Sequence, residues 1–339
     1  MTEAYPLTEE PSPRWDPIVV PCENLDAAIA LYTEQHRFRL DMIMPADAPR
    51  IALVSIGLIT LRLEAPDPGD VSDPLPVSPG DIVVSHASDC CAWPEGRAGM
   101  HYRDLIPGRL GGRMIASHIR IRDGGPVPDY VHYHKVGFQM IYCMRGWVRV
   151  VYEDQGPPFV MHAGDCVLQP PTIRHRVLES SPGLEVIEVS CPAVHETWRD
   201  HDIALPTLPL RPEREFAGQR FVHHVAATAR WARADDPNFK FRDTGIADAT
   251  AHLASVRVLR ALAQQIAPTA TPMNSARAGD VVFLFVLEGK LRLHSGAFEA
   301  HTLLSGDACA IPSGLDYVLD AIAPCEILEV VMNFASSSA

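Results

Sequence analysis

Along most of the chain, apolar residues recur at every second position in short runs separated by glycine and proline. That alternation predicts half-buried β-strands. Beyond residue 85, runs rich in β-branched residues fall at Met114–Ile121, Gln139–Met144, Trp147–Tyr152, Cys166–Gln169, Arg176–Leu178 and Leu184–Ser190. Strands of this length and spacing are expected of an antiparallel sandwich or barrel. Residues 16–66 are patterned differently. Ile18–Val20 is strand-like, and Asn24 is placed to cap a helix with Leu25, Ala28, Ile29 and Tyr32 on one face. Three short strands are then predicted around Arg39–Met44, Arg50–Ser55 and Leu58–Leu63.

The β-rich pattern occurs twice. HYRD at 101–104 answers KFRD at 240–243, and MIASHIRI at 114–121 answers HLASVRVL at 252–259. FQMIYCMRGWVRV at 138–150 answers VVFLFVLEGKLRL at 281–293, with Gly146 opposite Gly289. GDCVLQPP at 164–171 answers GDACAIPS at 306–313, and LEVIEV at 184–189 answers CEILEV at 325–330. An offset that stays near ~140 residues predicts two tandem copies of one β-fold. Proline-rich stretches at 67–84 and 204–215 separate the parts. The expected organisation is a loose tail (1–14), a small α+β module (15–66), a linker (67–84), a first β-domain (85–203), a second linker (204–215) and a second β-domain (216–336).

Composition narrows the class. With 339 residues, 47% of them hydrophobic and 21% charged, the chain is an ordinary globular sequence long enough for two cores. A net charge of −13 and a pI near 5.5 argue against nucleic acid or an anionic membrane surface as partner. No run approaches the ~18–20 apolar residues of a membrane span. The polar, acidic start is unlike a signal peptide, so a cytoplasmic location is expected. The eight cysteines show no CxxC spacing and read as buried, reduced thiols.

The chemistry concentrates in two stretches, 131–146 and 164–175. His132 and His134 alternate on a predicted strand, so their side chains leave the same face and can converge on one point. A third histidine from a neighbouring strand, and the Gln139 amide oxygen, would complete a site for a first-row metal. His175 follows Gly164 and Pro170 at a fixed spacing and supplies that third imidazole. Tyr130 shares parity with His132, and Ile141 and Cys143 share it with Gln139; with Arg120 they are the candidate pocket residues. Of Glu185 and Glu188 one could face the cavity, although core-edge or solvent positions are more common for glutamate, and Arg120 or Arg122 is the candidate partner for an anionic substrate. Histidines 118, 162, 195, 223 and 224 lack comparable context and read as surface or hydrogen-bonded residues. No Ser-His-Asp order, phosphate-cradling glycine loop or dinucleotide fingerprint is present.

Gly125, His132, His134 and Gly146, followed by Gly164, Pro170 and His175, resemble the two motifs of the cupin superfamily. With the internal repeat, they resemble a two-cupin chain over residues 85–336. Gln139 stands where the family has glutamate, and Thr172 stands where it has glycine. The resemblance implies two jelly-roll barrels in a mainly β fold, with one divalent transition-metal ion in the first. Fe(II) is favoured, with Ni, Mn or Zn as alternatives. It implies a non-haem dioxygenase acting on a small substrate, possible classes being aromatic, keto or hydroxy acids, and a homodimer. A metal-dependent isomerase or hydrolase, or a non-enzymatic small-molecule binder, fits the same scaffold. Opposite the ligands, the second copy carries Ser275, Arg277, Val282 and Tyr317, which points to a scaffold, an oligomerisation surface or a regulatory pocket. Residues 15–66, with β-α-β-β-β order and the stretch NLDAAIALYTEQHRFRL, resemble one glyoxalase-type (vicinal-oxygen-chelate) module, for which a structural or dimerising role is expected.

Overall fold

The computed structural model of the protein describes residues 17–66, 81–90, 93–234, 236–262 and 280–334. The expected tail, most of the first linker, Cys91, Ser275 and Arg277 lie outside the described residues.

The fold is mainly β, arranged as two jelly-roll barrels preceded by a small α+β unit. In the small unit, strand Ile18–Pro21 leads into a helix, Leu25–Ala30. Asn24 caps that helix by accepting from the Ala27 amide at 2.9 Å. A wider turn at Leu31–Gln35 continues the helix. Strands Arg39–Met44, Ile51–Ile56 and Ile59–Glu64 follow, and the apolar helix face packs on Val54, Leu61 and Leu63. Ile18–Pro21 returns to pair parallel with Ile59–Glu64, leaving the opposite edge, Arg39–Met44, free to pair elsewhere.

That edge joins the first barrel. Arg39–Met44 pairs with Thr197–Arg199, which pairs with His132–His134, which pairs in turn with His175–Ser180. One continuous ten-stranded sheet therefore runs from the amino-terminal unit into the strands that carry the histidines. The contact is tight: at Gly96 an added Cβ would lie 2.8 Å from the Asp47 carbonyl oxygen and 2.7 Å from the Tyr102 ring.

The second face of the first barrel is a six-stranded sheet containing Phe138–Arg145, Leu184–Cys191 and Ile115–Ile121. Its strands are buried on both sides, which explains their nearly continuous apolar sequence. Phe138, Met140, Tyr142, Ile187 and Val189 face outward against Val256, Phe283, Phe285, Leu328 and Val330 of the second barrel. The alternate residues face the first barrel's interior.

The barrels also exchange strands. Val83–Ser85, at the end of the first expected linker, pairs with Ala308–Pro312 of the second barrel. Val222–His224, beyond the second linker, pairs with Cys166–Leu168 of the first. Seven cysteines lie among the described residues and none is in a disulfide.

Candidate metal centre

Strand register brings the three histidines together. His132 is paired directly with His175, and His134 with Thr197. The imidazole ring centres lie 4.2 Å (132–175), 5.2 Å (132–134) and 5.3 Å (134–175) apart. One nitrogen from each lies within 4.8 Å of the others, and all three residues are buried. An ion with bonds of about 2.1 Å to nitrogen can gather them with small ring movements.

The neighbours of each ring fix which nitrogen is offered. The Tyr130 and Ile173 carbonyls lie 2.8 Å and 3.0 Å from Nδ1 of His132 and His175. A carbonyl only accepts, so Nδ1–H donates and the lone pair falls on Nε2. Nδ1 of His134 shares a 3.0 Å hydrogen bond with Thr197 Oγ1. Burial, reinforced by the positive charge of Arg97 and by the other imidazoles, holds His132 and His134 well below the usual histidine range. Burial pushes His175 down to about 4. All three are therefore neutral near pH 7, the form that ligates metal. His132 is fully buried, yet its Nε2 has no hydrogen-bond partner in the protein. A buried, unsatisfied acceptor aimed at two other imidazoles fits a cation.

Beside the triad runs a chain of amides. Tyr152 donates its hydroxyl proton to Gln169 Oε1 (2.8 Å), Gln169 donates to Gln139 Oε1 (3.1 Å), and Gln139 donates to Glu188 Oε1 (2.9 Å). The Gln169 amide nitrogen also lies 3.2 Å from His175 Nε2. Gln139 thus sits next to the cluster with its oxygen engaged by Gln169. The carboxylate of this region is Glu188, one strand away, which faces the interior; Glu185 points out to His118 at 2.8 Å.

A cavity of about 90 Å³ opens from His134 and His175. Ile119, Ile141, Val148, Met161 and Val186 form its apolar wall. Gln139, Gln169, Glu188, Arg97 and His195 supply polar groups, and Pro45–Asp47 of the amino-terminal unit close one side. Arg97 pairs with Asp129 and is 10% exposed. Burial acts against its charge, but Asp129 outweighs it and holds the guanidinium protonated.

The candidate pocket residues divide. Ile141 lines the cavity. Cys143, though on the same face of its strand, lies deeper in the apolar packing with Val148, Val150 and Met161. Tyr130 packs edge-on against His132 at 5.9 Å and under the Arg199 guanidinium, outside the cavity lining. Arg120 requires a correction. Ile115, Ser117, Ile119 and Ile121 of its strand line the cavity, so alternation sends Arg120 to the other face, where it stacks on Trp93 at 4.0 Å. Arg97 and Gln169 were not singled out by the sequence, and His195, expected to be a surface or hydrogen-bonded residue, is hydrogen-bonded to Pro192 but buried in the cavity lining. Only Gln169 carried a signal, its place beside Pro170 in the second motif. Thr172, in place of the family's glycine, adopts φ = +64°, a left-handed conformation unusual for a β-branched residue.

Residues 118–189, within the first barrel, match the sequence model of the cupin domain. No curated protein matches the chain. Among solved structures, the fold is similar to Bacillus subtilis oxalate decarboxylase at pH 4.6, with 12% identity and a TM-score of 0.52 over 75% of this chain and 76% of that one. It is also similar to protein Ylba from E. coli, with 11% identity and a TM-score of 0.54 over 77% and 95% of the two chains. Another structure of the B. subtilis decarboxylase, concerned with its Mn(II) centres, has 12% identity and a TM-score of 0.51 over 75% and 78%. At these identities the likeness concerns the fold.

Proposed function

We propose that the protein is a metal-dependent enzyme acting on a small acid in the first barrel, and that its chemistry is that of a non-haem Fe(II) dioxygenase. The observation that carries this reading is the orphaned Nε2 of His132, buried in a cluster with two other neutral imidazoles that line a cavity. Held by His132, His134 and His175, an Fe(II) ion would supply one-electron chemistry with dioxygen; Mn, Ni or Zn fit the same donors. The chain's own groups do the rest. The carbonyls of residues 130 and 173 orient two ligands, and Thr197 orients the third. Arg97 holds an anionic group, the role that Arg120 or Arg122 was expected to fill. The apolar wall excludes water around the substrate body. Gln169 can donate to an oxygen atom brought next to His175.

A Lewis-acid isomerase or hydrolase would use the same residues, and a non-enzymatic binding protein would use the cavity alone. Elemental analysis tests the metal, with about one transition-metal ion per chain expected. Oxygen uptake on aerobic addition of candidate acids separates dioxygenase from Lewis-acid chemistry, and absence of turnover with retained binding supports the third reading. For residues 15–66 we keep the glyoxalase-like reading in a structural or dimerising role, supported by the β-α-β-β-β order. Ile18, Val19 and Leu58 lie exposed at the outer end of the long sheet, in keeping with a homodimer formed there. Light scattering tests it.

A further inference from the structure

The cavity contains a fourth imidazole that the metal reading does not use. His195 lies in the segment between strands Leu184–Cys191 and Thr197–Arg199. It is 8% exposed, lines the cavity, and packs edge-on against His134 with ring centres 5.5 Å apart. Its Nδ1 lies 3.0 Å from the Pro192 carbonyl oxygen, which can only accept, so Nδ1 carries the proton and Nε2 the lone pair. That Nε2 is buried and has no partner in the protein. It is not a further ligand of the same ion: the nitrogens that gather within 4.8 Å are those of His132, His134 and His175.

Arg97, lining the same cavity, shows the opposite deficit. One of its terminal nitrogens is occupied by Asp129, while its Nε–H is buried and unpartnered. Buried polar groups are ordinarily satisfied, and a site with orphaned groups of both kinds is completed by a ligand that brings the missing partners. We infer that His195 Nε2 accepts a hydrogen bond from a hydroxyl of the substrate whose anionic group is held by Arg97. The substrate is then a hydroxy acid rather than a keto acid, with an apolar body against Ile119, Val148 and Met161. This deepens the proposed function and rests on it for the location of the ligand. The 90 Å³ cavity has room for several waters, which suits a short-chain acid. A site built to bond a hydroxyl rejects the analogue lacking it, because its own buried acceptor is then left unpaired.

The test is calorimetric titration of the full-length, as-purified protein without oxygen, using 2-hydroxyhexanoate and hexanoate. The wild type is expected to bind the hydroxy acid about tenfold more tightly, the worth of one well-made hydrogen bond. In His195→Phe that ratio falls close to one while hexanoate affinity stays within about threefold of wild type. His195→Gln, which keeps an accepting oxygen, retains part of the preference. His195→Leu carries the same expectation as His195→Phe should the larger ring prevent folding. The inference is overturned by equal binding of the two acids to the wild type, by an unchanged ratio in His195→Phe or His195→Leu, or by failure of either acid to bind at millimolar concentration. Metal content is measured on the same samples. Metal present with an unchanged ratio defeats only the role of His195, whereas absence of metal from the wild type defeats the proposed function itself.

Discussion

At the strand position where the first barrel carries Glu188 opposite Ser117, the second carries Glu329 opposite Arg257. In the second barrel, Arg257 reaches across to the fully buried carboxylate at 2.5 Å and 2.9 Å, and the pair fills the interior. In the first, serine is too short to do so; Glu188 instead accepts from Gln139 and Ser190, and the space beside it is cavity. The same contrast runs along the other strands. Gln139 and Ile141 face the cavity, while their counterparts Val282 and Leu284 pack with Leu293, Ile311, Leu319 and Ile327 in a closed apolar cluster. His175 is answered by Tyr317, 4% exposed within that cluster. One barrel thus keeps polar groups and room around three imidazoles, and the other converts the same positions into core. Ser275 and Arg277, which with Tyr317 made up the pocket considered for the second barrel, lie outside the described residues. A scaffold role fits, since its outer face forms a common core with the first barrel.

The comparison can be broken at several points. Leu284→Ala deletes fully buried volume from the second barrel and is expected to cost ~2–5 kcal/mol in chemical denaturation without changing metal content. A loss below about 0.5 kcal/mol would show that this interior is not close-packed. Acid affects the first barrel through its histidines. In metal-free protein, burial depresses the native pKa of His175 from 6.5 to about 4. Between those values the unfolded chain takes up a proton that the native state refuses, so stability falls as pH drops through that window. The full gap is worth about 3 kcal/mol from His175, with His132 and His134 acting in the same direction. Denaturation between pH 7 and 4 measures it, and a flat profile contradicts neutral buried imidazoles. Thr172→Gly relieves the left-handed strain beside the site and should stabilise by about 1 kcal/mol, read as a rise in Tm. Smallest of all, Arg120→Ala loses a stacking contact worth about 0.5–1 kcal/mol and leaves metal content and acid binding unchanged.

Local periodicity made part of this legible. Period-two alternation put His132 and His134 on one face, and motif spacing supplied His175. The internal repeat gave two barrels and identified Val282 and Tyr317 as the positions stripped of ligands. The apolar strands of the six-stranded sheet hid the rest. Ile115–Ile121 is buried on both faces, so its sequence does not reveal that 117 and 119 look inward while 118 and 120 look out, and Arg120 was misplaced accordingly. Arg97 and His195 reach the site from irregular segments about 35 and 20 residues from the histidines that precede or follow them, where no period exists to read. The strand exchange of Val83–Ser85 and Val222–His224, and the joining of Arg39–Met44 to Thr197–Arg199, are pairings between distant segments that carry no local signature.

The central claim is that one barrel holds a metal ion and its twin does not. The direct measurement is transition-metal content, by mass spectrometry, of full-length wild type, His132→Ala, His175→Ala and Tyr317→Phe, each purified without added metal. About one ion per chain is expected in wild type and Tyr317→Phe, and less than about a tenth of that in either histidine variant. Wild type without metal, or metal retained in both folded histidine variants, would contradict it.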